Sequence, residues 1–215
     1  AKNKDALLLG MGGGTILKQL KKDGFSVDVV EIDARMETVA HQFFGVSNNN
    51  NIIIDDARHY IRTSPRKYDA IIYDLYNSET PPIHLMTKEA FSEINGLLNK
   101  DGILAINFYG FTEGSRGKAA RSIYKTLQSE GFSIQLLATE GQEQYRNLLF
   151  LCSPGTLSPS LKEKDIKITA NNLDLDDAVI LTDEKPELEH LYLEAAINWR
   201  TNYNKANFRK IIQSN

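Results

Sequence analysis

The residues of this 215-residue chain best suited to chemistry are one glycine run and a series of carboxylates. Gly10-Met11-Gly12-Gly13-Gly14-Thr15 follows the apolar residues Ala6-Leu7-Leu8-Leu9. Glycines let a backbone close on a ligand with no side chain in the way, and a helix starting beyond them offers it unpaired N–H groups. Glu31 and Asp33 end a second apolar run about 20 residues later, where a carboxylate meets a ribose diol in doubly wound sheets. Asp55 and Asp56 follow Ile52-Ile53-Ile54, and Asp74 follows Ala70-Ile71-Ile72-Tyr73. A carboxylate at a strand end can orient an amine, accept its proton or neutralise a cation.

Such residues work together only if a scaffold brings them to one edge. The run at 6–9 and the spacing of Ile16, Leu17 and Leu20 predict a buried strand turning into a helix over 15–22, ended by Asp23-Gly24. A strand at 26–32 leads to a helix with Met36, Val39, Ala40, Phe43 and Phe44 at core-facing spacing, then a polar loop at 48–51. The pattern continues with a strand at 52–54, a short helix at 58–63, a strand at 70–73 and a helix at 87–98 that Thr87 caps. A strand at 103–108 and a helix at 115–130 follow, with Arg116, Lys118 and Arg121 read as a solvated helix face. Strands at 133–138 and 147–152 form a pair.

Strand and helix alternate up to residue 130, so the fold class is α/β: a doubly wound, mostly parallel Rossmann-like sheet, helices on both faces, with an antiparallel edge hairpin. Residues 1–154 read as a nucleoside-binding domain and 155–215 as a C-terminal extension packing on it. That extension is polar and irregular with weak strand signals to residue 177, helical at 187–199, and closes with a solvated helix or tail that carries Trp199, Phe208, Ile211 and Ile212 as docking residues. Ligands of such sheets bind outside the carboxyl ends of the strands, which puts the glycine turn, Glu31, Asp33, Asp55, Asp56 and Asp74 on one rim.

Composition narrows the function. Hydrophobic residues make up 41% and charged residues 25%, ordinary globular values. With 25 basic and 28 acidic residues the net charge is −3, and no basic face argues for nucleic acid. The single Cys152 forms no internal disulfide and reads as a buried thiol of a reducing cytoplasm. No apolar run approaches a membrane span, so no membrane is expected for this chain. His41, His59, His84 and His190 show no metal spacing and read as surface or packing residues, and His84, in the loop after Asp74, is the one to test.

Gly10-Met11-Gly12-Gly13-Gly14, Val30-Glu31-Ile32-Asp33, Asp56-Ala57-Arg58, residues 68–74 and Leu181-Thr182-Asp183-Glu184-Lys185-Pro186 resemble the class I S-adenosylmethionine-binding fold. Within it they resemble the spermidine synthase (polyamine aminopropyltransferase) family, over about residues 6–189. The resemblance implies decarboxylated S-adenosylmethionine or S-adenosylmethionine as cofactor, no metal, a polyamine substrate such as putrescine, and assembly as a homodimer. It assigns Gly10, Gly12, Gly13 and Gly14 to the turn beneath the ligand, Glu31 with Asp33 to the ribose, and Asp56 with Ala57 to adenine. Asp74 becomes the catalytic carboxylate, and Tyr76, Asn77 and Glu79 line the path of the amine. Gly13 and Asn77 stand where the family has aspartates, and Asp55, Glu79, Glu140 and Asp183 are the acids available to restore charge. The family's small N-terminal β-domain is expected to be absent. Two alternatives remain open: a methyltransferase, since Gly13 would not repel the methionine carboxylate, and a nucleoside-binding domain without turnover.

Overall fold

A computed structural model of the chain describes residues 4–75, 80–157, 166–168 and 173–213. The described strands are β1 (Lys4–Leu9), β2 (Phe25–Glu31), β3 (Asn51–Ile54), β4 (Tyr68–Tyr73), β5 (Leu98–Tyr109), β6 (Ser133–Thr139), β7 (Asn147–Ser153) and β8 (Ile166–Ile168). They form one sheet in the order β3-β2-β1-β4-β5-β7-β6-β8. β1 to β5 run parallel and β6 to β8 antiparallel, the expected mostly parallel sheet with an antiparallel edge. The helices are α1 (Thr15–Lys22), α2 (Ala34–Phe44), α3 (Ala57–Thr63), α4 (Lys88–Leu97), α5 (Lys118–Ser129) and α6 (Leu188–Gln213).

Why β1 sits in the middle of the five parallel strands follows from its sequence. Ala6, Leu7, Leu8 and Leu9 are all buried and alternate between two cores, as the pleat requires. Ala6 and Leu8 pack with Leu17, Val29 and Ala40 of α1, β2 and α2. Leu7 and Leu9 join the larger core with Ile71, Phe91, Ile106 and Leu127, to which α6 adds Leu188, Tyr192 and Ala195. Helix starts are fixed by side chains: the Asp33, Asp56 and Thr87 oxygens accept from the Arg35, His59 and Ala90 amides.

Two local expectations are corrected. Phe43 is 73% exposed and Phe44 also faces outward, because α2 spends its inward face on Ala40 and half-buried Met36. Arg121 is not on a solvated face: it is buried, and its guanidinium binds Asp177 and the Thr112 and Gly114 carbonyls. The weak strand signals of the irregular segment correspond to β8, whose Ile168 pairs with Leu137 of β6. Of the two readings of the last stretch, helix or tail, the backbone is helical, with α6 running unbroken to Gln213 and Trp199 half-buried and stacked on Tyr203 at 5.0 Å. The side chains of Phe208, Ile211 and Ile212 lie outside the described residues.

Candidate active site

The glycine turn is shaped by its neighbours before any ligand is considered. Gly10 has φ 86°, its N–H donates to the Val30 carbonyl at 2.8 Å, and a Cβ there would stand 2.4 Å from the Asp74 carbonyl oxygen. The Asp74 N–H in turn donates to the Leu9 carbonyl at 3.0 Å, so the ends of β1, β2 and β4 are laced together at one point. Only glycine supplies both that φ and that clearance. Gly12, at φ 49°, has open space where a Cβ would be.

Beside the turn opens a cavity of about 790 Å³, with Gly10, Met11 and Gly12 on one side. Glu31, Ile32 and Met36 form a second side, and Asp55, Asp56, Ala57 and Asp74 a third. Residues 80–85 and, from α6, Leu188, Glu189 and Tyr192 complete it. Its described charged lining consists of Glu31, Asp55, Asp56, Asp74 and Glu189, with His84 as the one group able to become cationic. No Lys or Arg lines it among the described residues.

Each carboxylate is held differently. Glu31 is buried; its Oε2 accepts from the Met11 amide and Oε1 from the Asp33 amide, both at 3.0 Å. A carboxylate offers about four acceptor positions, so two remain for a diol. Asp55 accepts from the Asp56 amide at 2.8 Å and meets His59 Nδ1 at 2.7 Å. Asp56 spends Oδ1 on the α3 cap, while Oδ2 lies 3.6 Å from His84 Nε2. Asp74 receives Asn107 Nδ2 at 2.9 Å.

Other predicted residues lie away from the cavity. Gly13 packs on the Phe44 ring, and a Cβ on Gly14 would strike Val46 at 2.4 Å. The Asp33 carboxylate caps α2 and pairs with Arg35, whose hydrogen bonds and charge hold its pKa down at about 2. Asp183 binds Arg58 at 3.0 Å and Thr87 at 2.6 Å instead of lending charge to the rim. Tyr76, Asn77 and Glu79 fall outside the described residues. Among the described residues no three His, Cys, Asp or Glu side chains are grouped to hold a metal ion, and no helix is long and apolar enough to cross a membrane.

Sequence reasoning missed the wall made by α6. Glu189 and Tyr192 are 115 or more residues beyond Asp74, and only tertiary packing brings them to the rim. The Pro186 that precedes the helix start was the available local signal.

Residues 1–108 match the family model described as the spermine/spermidine synthase domain. The chain belongs to that family. Among curated spermidine synthase-like relatives, a polyamine aminopropyltransferase of Vibrio vulnificus is 30% identical over 151 residues, covering 66% of this chain and 50% of the relative. An N-terminal histidine N-methyltransferase of Emericella nidulans is 29% identical over 164 residues, 72% of this chain and 29% of the relative. The chain thus spans half or less of the length of these relatives. A crystal structure of human methyltransferase-like protein 13 in complex with SAH superposes with a TM-score of 0.60 at 20% identity, covering 93% of this chain and 81% of that one, a likeness of fold.

Proposed function

We propose that this spermidine synthase-like chain is a transferase moving an aminopropyl group from decarboxylated S-adenosylmethionine to a polyamine such as putrescine. The observation that carries the reading is the charge of the cavity: five carboxylates, Asp74 among them, and no described Lys or Arg beside the glycine turn. Cations are the ligands that such a wall favours. A nucleoside fits the residues present, because Glu31 keeps two acceptor positions after binding the Met11 and Asp33 amides. Ala57 and the Asp56 backbone would border adenine, with Asp56 Oδ2 able to accept from its amine.

The sulfonium donor supplies an activated carbon. The acceptor nitrogen forms a bond to that carbon, the carbon–sulfur bond breaks with its electron pair left on sulfur, and methylthioadenosine is released. What the chain contributes is alignment, proton removal and compensation of charge. Asp74 takes the proton that the nitrogen loses. Glu189 and Asp55 add negative charge beside the cationic substrates, in the place of the acids replaced by Gly13 and Asn77.

One observation favours a second reading, methyl transfer from S-adenosylmethionine. The part of the turn that lines the cavity, Gly10, Met11 and Gly12, carries no carboxylate, and neither does Gly13 beyond it, so the turn sets no charge against a methionine carboxylate. Titration calorimetry with decarboxylated S-adenosylmethionine, methylthioadenosine, S-adenosylmethionine and S-adenosylhomocysteine separates the two. Tighter binding of the first pair, with putrescine turnover lost in Asp74→Asn, supports aminopropyl transfer. Tighter binding of the second pair replaces it by methyl transfer, and binding without turnover of either donor leaves a nucleoside-binding domain.

A further inference from the structure

Asp74 is held by a chain of two amides. Its Oδ1 accepts from Asn107 Nδ2 at 2.9 Å, and Asn107 Oδ1 accepts from Asn147 Nδ2 at 2.9 Å. Register explains the meeting. Tyr73 of β4 pairs with Ile106 of β5, so the next residues, Asp74 and Asn107, come side by side. Asn107 stands opposite Leu149 of β7, and Asn147 is its diagonal neighbour on the same face. Asn147 is anchored by its own backbone, whose N–H donates to Thr139 Oγ1 at 2.9 Å.

An ionised carboxylate can only accept, while an amide has one accepting and one donating end. Two amides in series therefore have a single working polarity. Asn147 must give its NH₂ to the Asn107 carbonyl, which turns the Asn107 NH₂ toward Asp74. We infer that Asn107 and Asn147 are positioning residues for Asp74: they fix the rotation of its carboxylate and leave Oδ2, which no described residue hydrogen-bonds, as the oxygen for the acceptor nitrogen's proton. The inference rests on the proposed alkyl transfer for what Asp74 does. The amide chain itself is independent of that reading.

The polarity can be reversed without changing shape. In Asn147→Asp the donating NH₂ becomes a second acceptor, so Asn107 turns its NH₂ away and presents its carbonyl to Asp74. In Asn147→Leu the link is only broken. With the full chain and putrescine as acceptor, Asn147→Asp is expected to lower kcat at least 10-fold, with the donor KM within about 2-fold of wild type and methylthioadenosine binding retained. Asn147→Leu is expected to lose less than Asn147→Asp. A merely structural role predicts the opposite order, since Asp is the closer isostere; that order, or more than half of kcat kept in Asn147→Asp, overturns the inference. If the wild-type chain turns over neither sulfonium donor, the transfer reading fails and NMR decides this one separately. Replacing Asp74 by Asn must then shift the side-chain amide signals of both Asn107 and Asn147, and an unmoved Asn147 pair overturns the chain.

Discussion

Replacing Arg58 by Met tests what holds the two walls of the cavity in place. The Arg58 side chain is 6% exposed and gives its guanidinium to Glu93 at 2.5 Å, to Asp183 at 3.0 Å and to the His84 carbonyl. Residues 80–85 and the segment leading into α6 are thereby fastened to α3 and α4. Removing one partner of a buried ion pair costs about 3–5 kcal/mol. Here Asp183 is 36% exposed and Arg62 still reaches both acids, at 3.1 and 3.5 Å, so the lower end, about 3 kcal/mol, applies. For a chain of this size that is a fall in Tm of roughly 6–12 °C, read by circular dichroism. Arg62→Ala, at a site 54% exposed, should cost about 1 kcal/mol or less.

The difference should depend on pH in a definite direction. Burial pushes the Asp183 carboxyl up, but hydrogen bonds from Thr87 and Arg58 and the charges of Arg58 and Arg62 outweigh it and hold it below the ordinary carboxylate value. A group whose folded pKa is depressed stabilises the fold above its unfolded pKa, about 3.9, and that contribution fades as pH falls below it. The gap between wild type and Arg58→Met should therefore be full at pH 7 and narrow below about pH 4. A Tm loss no larger than that of Arg62→Ala, or a gap that widens in acid, would refute the fastening.

Two further outcomes follow from the turn. Glu31→Gln should weaken methylthioadenosine binding by roughly 10- to 150-fold in a calorimetric titration, the equivalent of one hydrogen bond to a charged group at about 1.5–3 kcal/mol, while Asp33→Asn changes it less than about 3-fold because that carboxylate faces Arg35. Gly10→Ala should cost about 2 kcal/mol or more in urea unfolding, since the added carbon meets the Asp74 carbonyl at 2.4 Å in left-handed backbone, whereas Gly24→Ala has only the φ strain.

What could be read from the chain was what depends on near neighbours. The buried run Ala6–Leu9, the Thr87 cap, and the acids at the ends of β2, β3 and β4 all signal locally, so the sheet and the placing of Glu31, Asp55, Asp56 and Asp74 at its strand ends were legible. Residues whose roles depend on distant partners were not. Arg121 looks like any helix-surface arginine until Asp177 closes on it from 56 residues away, and Asp183 looks like a loop acid until Arg58 claims it across 125. Phe43 and Phe44 satisfy a helical spacing, but spacing cannot say which of two adjacent stripes the sheet covers. Asn107 sits inside an apolar strand run, where periodicity treats a polar residue as noise.

The place of Leu188, Glu189 and Tyr192 in the cavity wall has a consequence for how the molecule comes into being. The floor of the cavity is drawn from residues 10–85 and its last wall from residues 188–192, so during translation the glycine turn emerges long before the groove over it is finished. At ribosomal speeds of about 5–20 residues per second, the interval is roughly 10–35 s. A nascent chain thus passes through a stage with its strand ends uncovered on that side, and the wall is complete only when α6 arrives with Leu188, Glu189 and Tyr192.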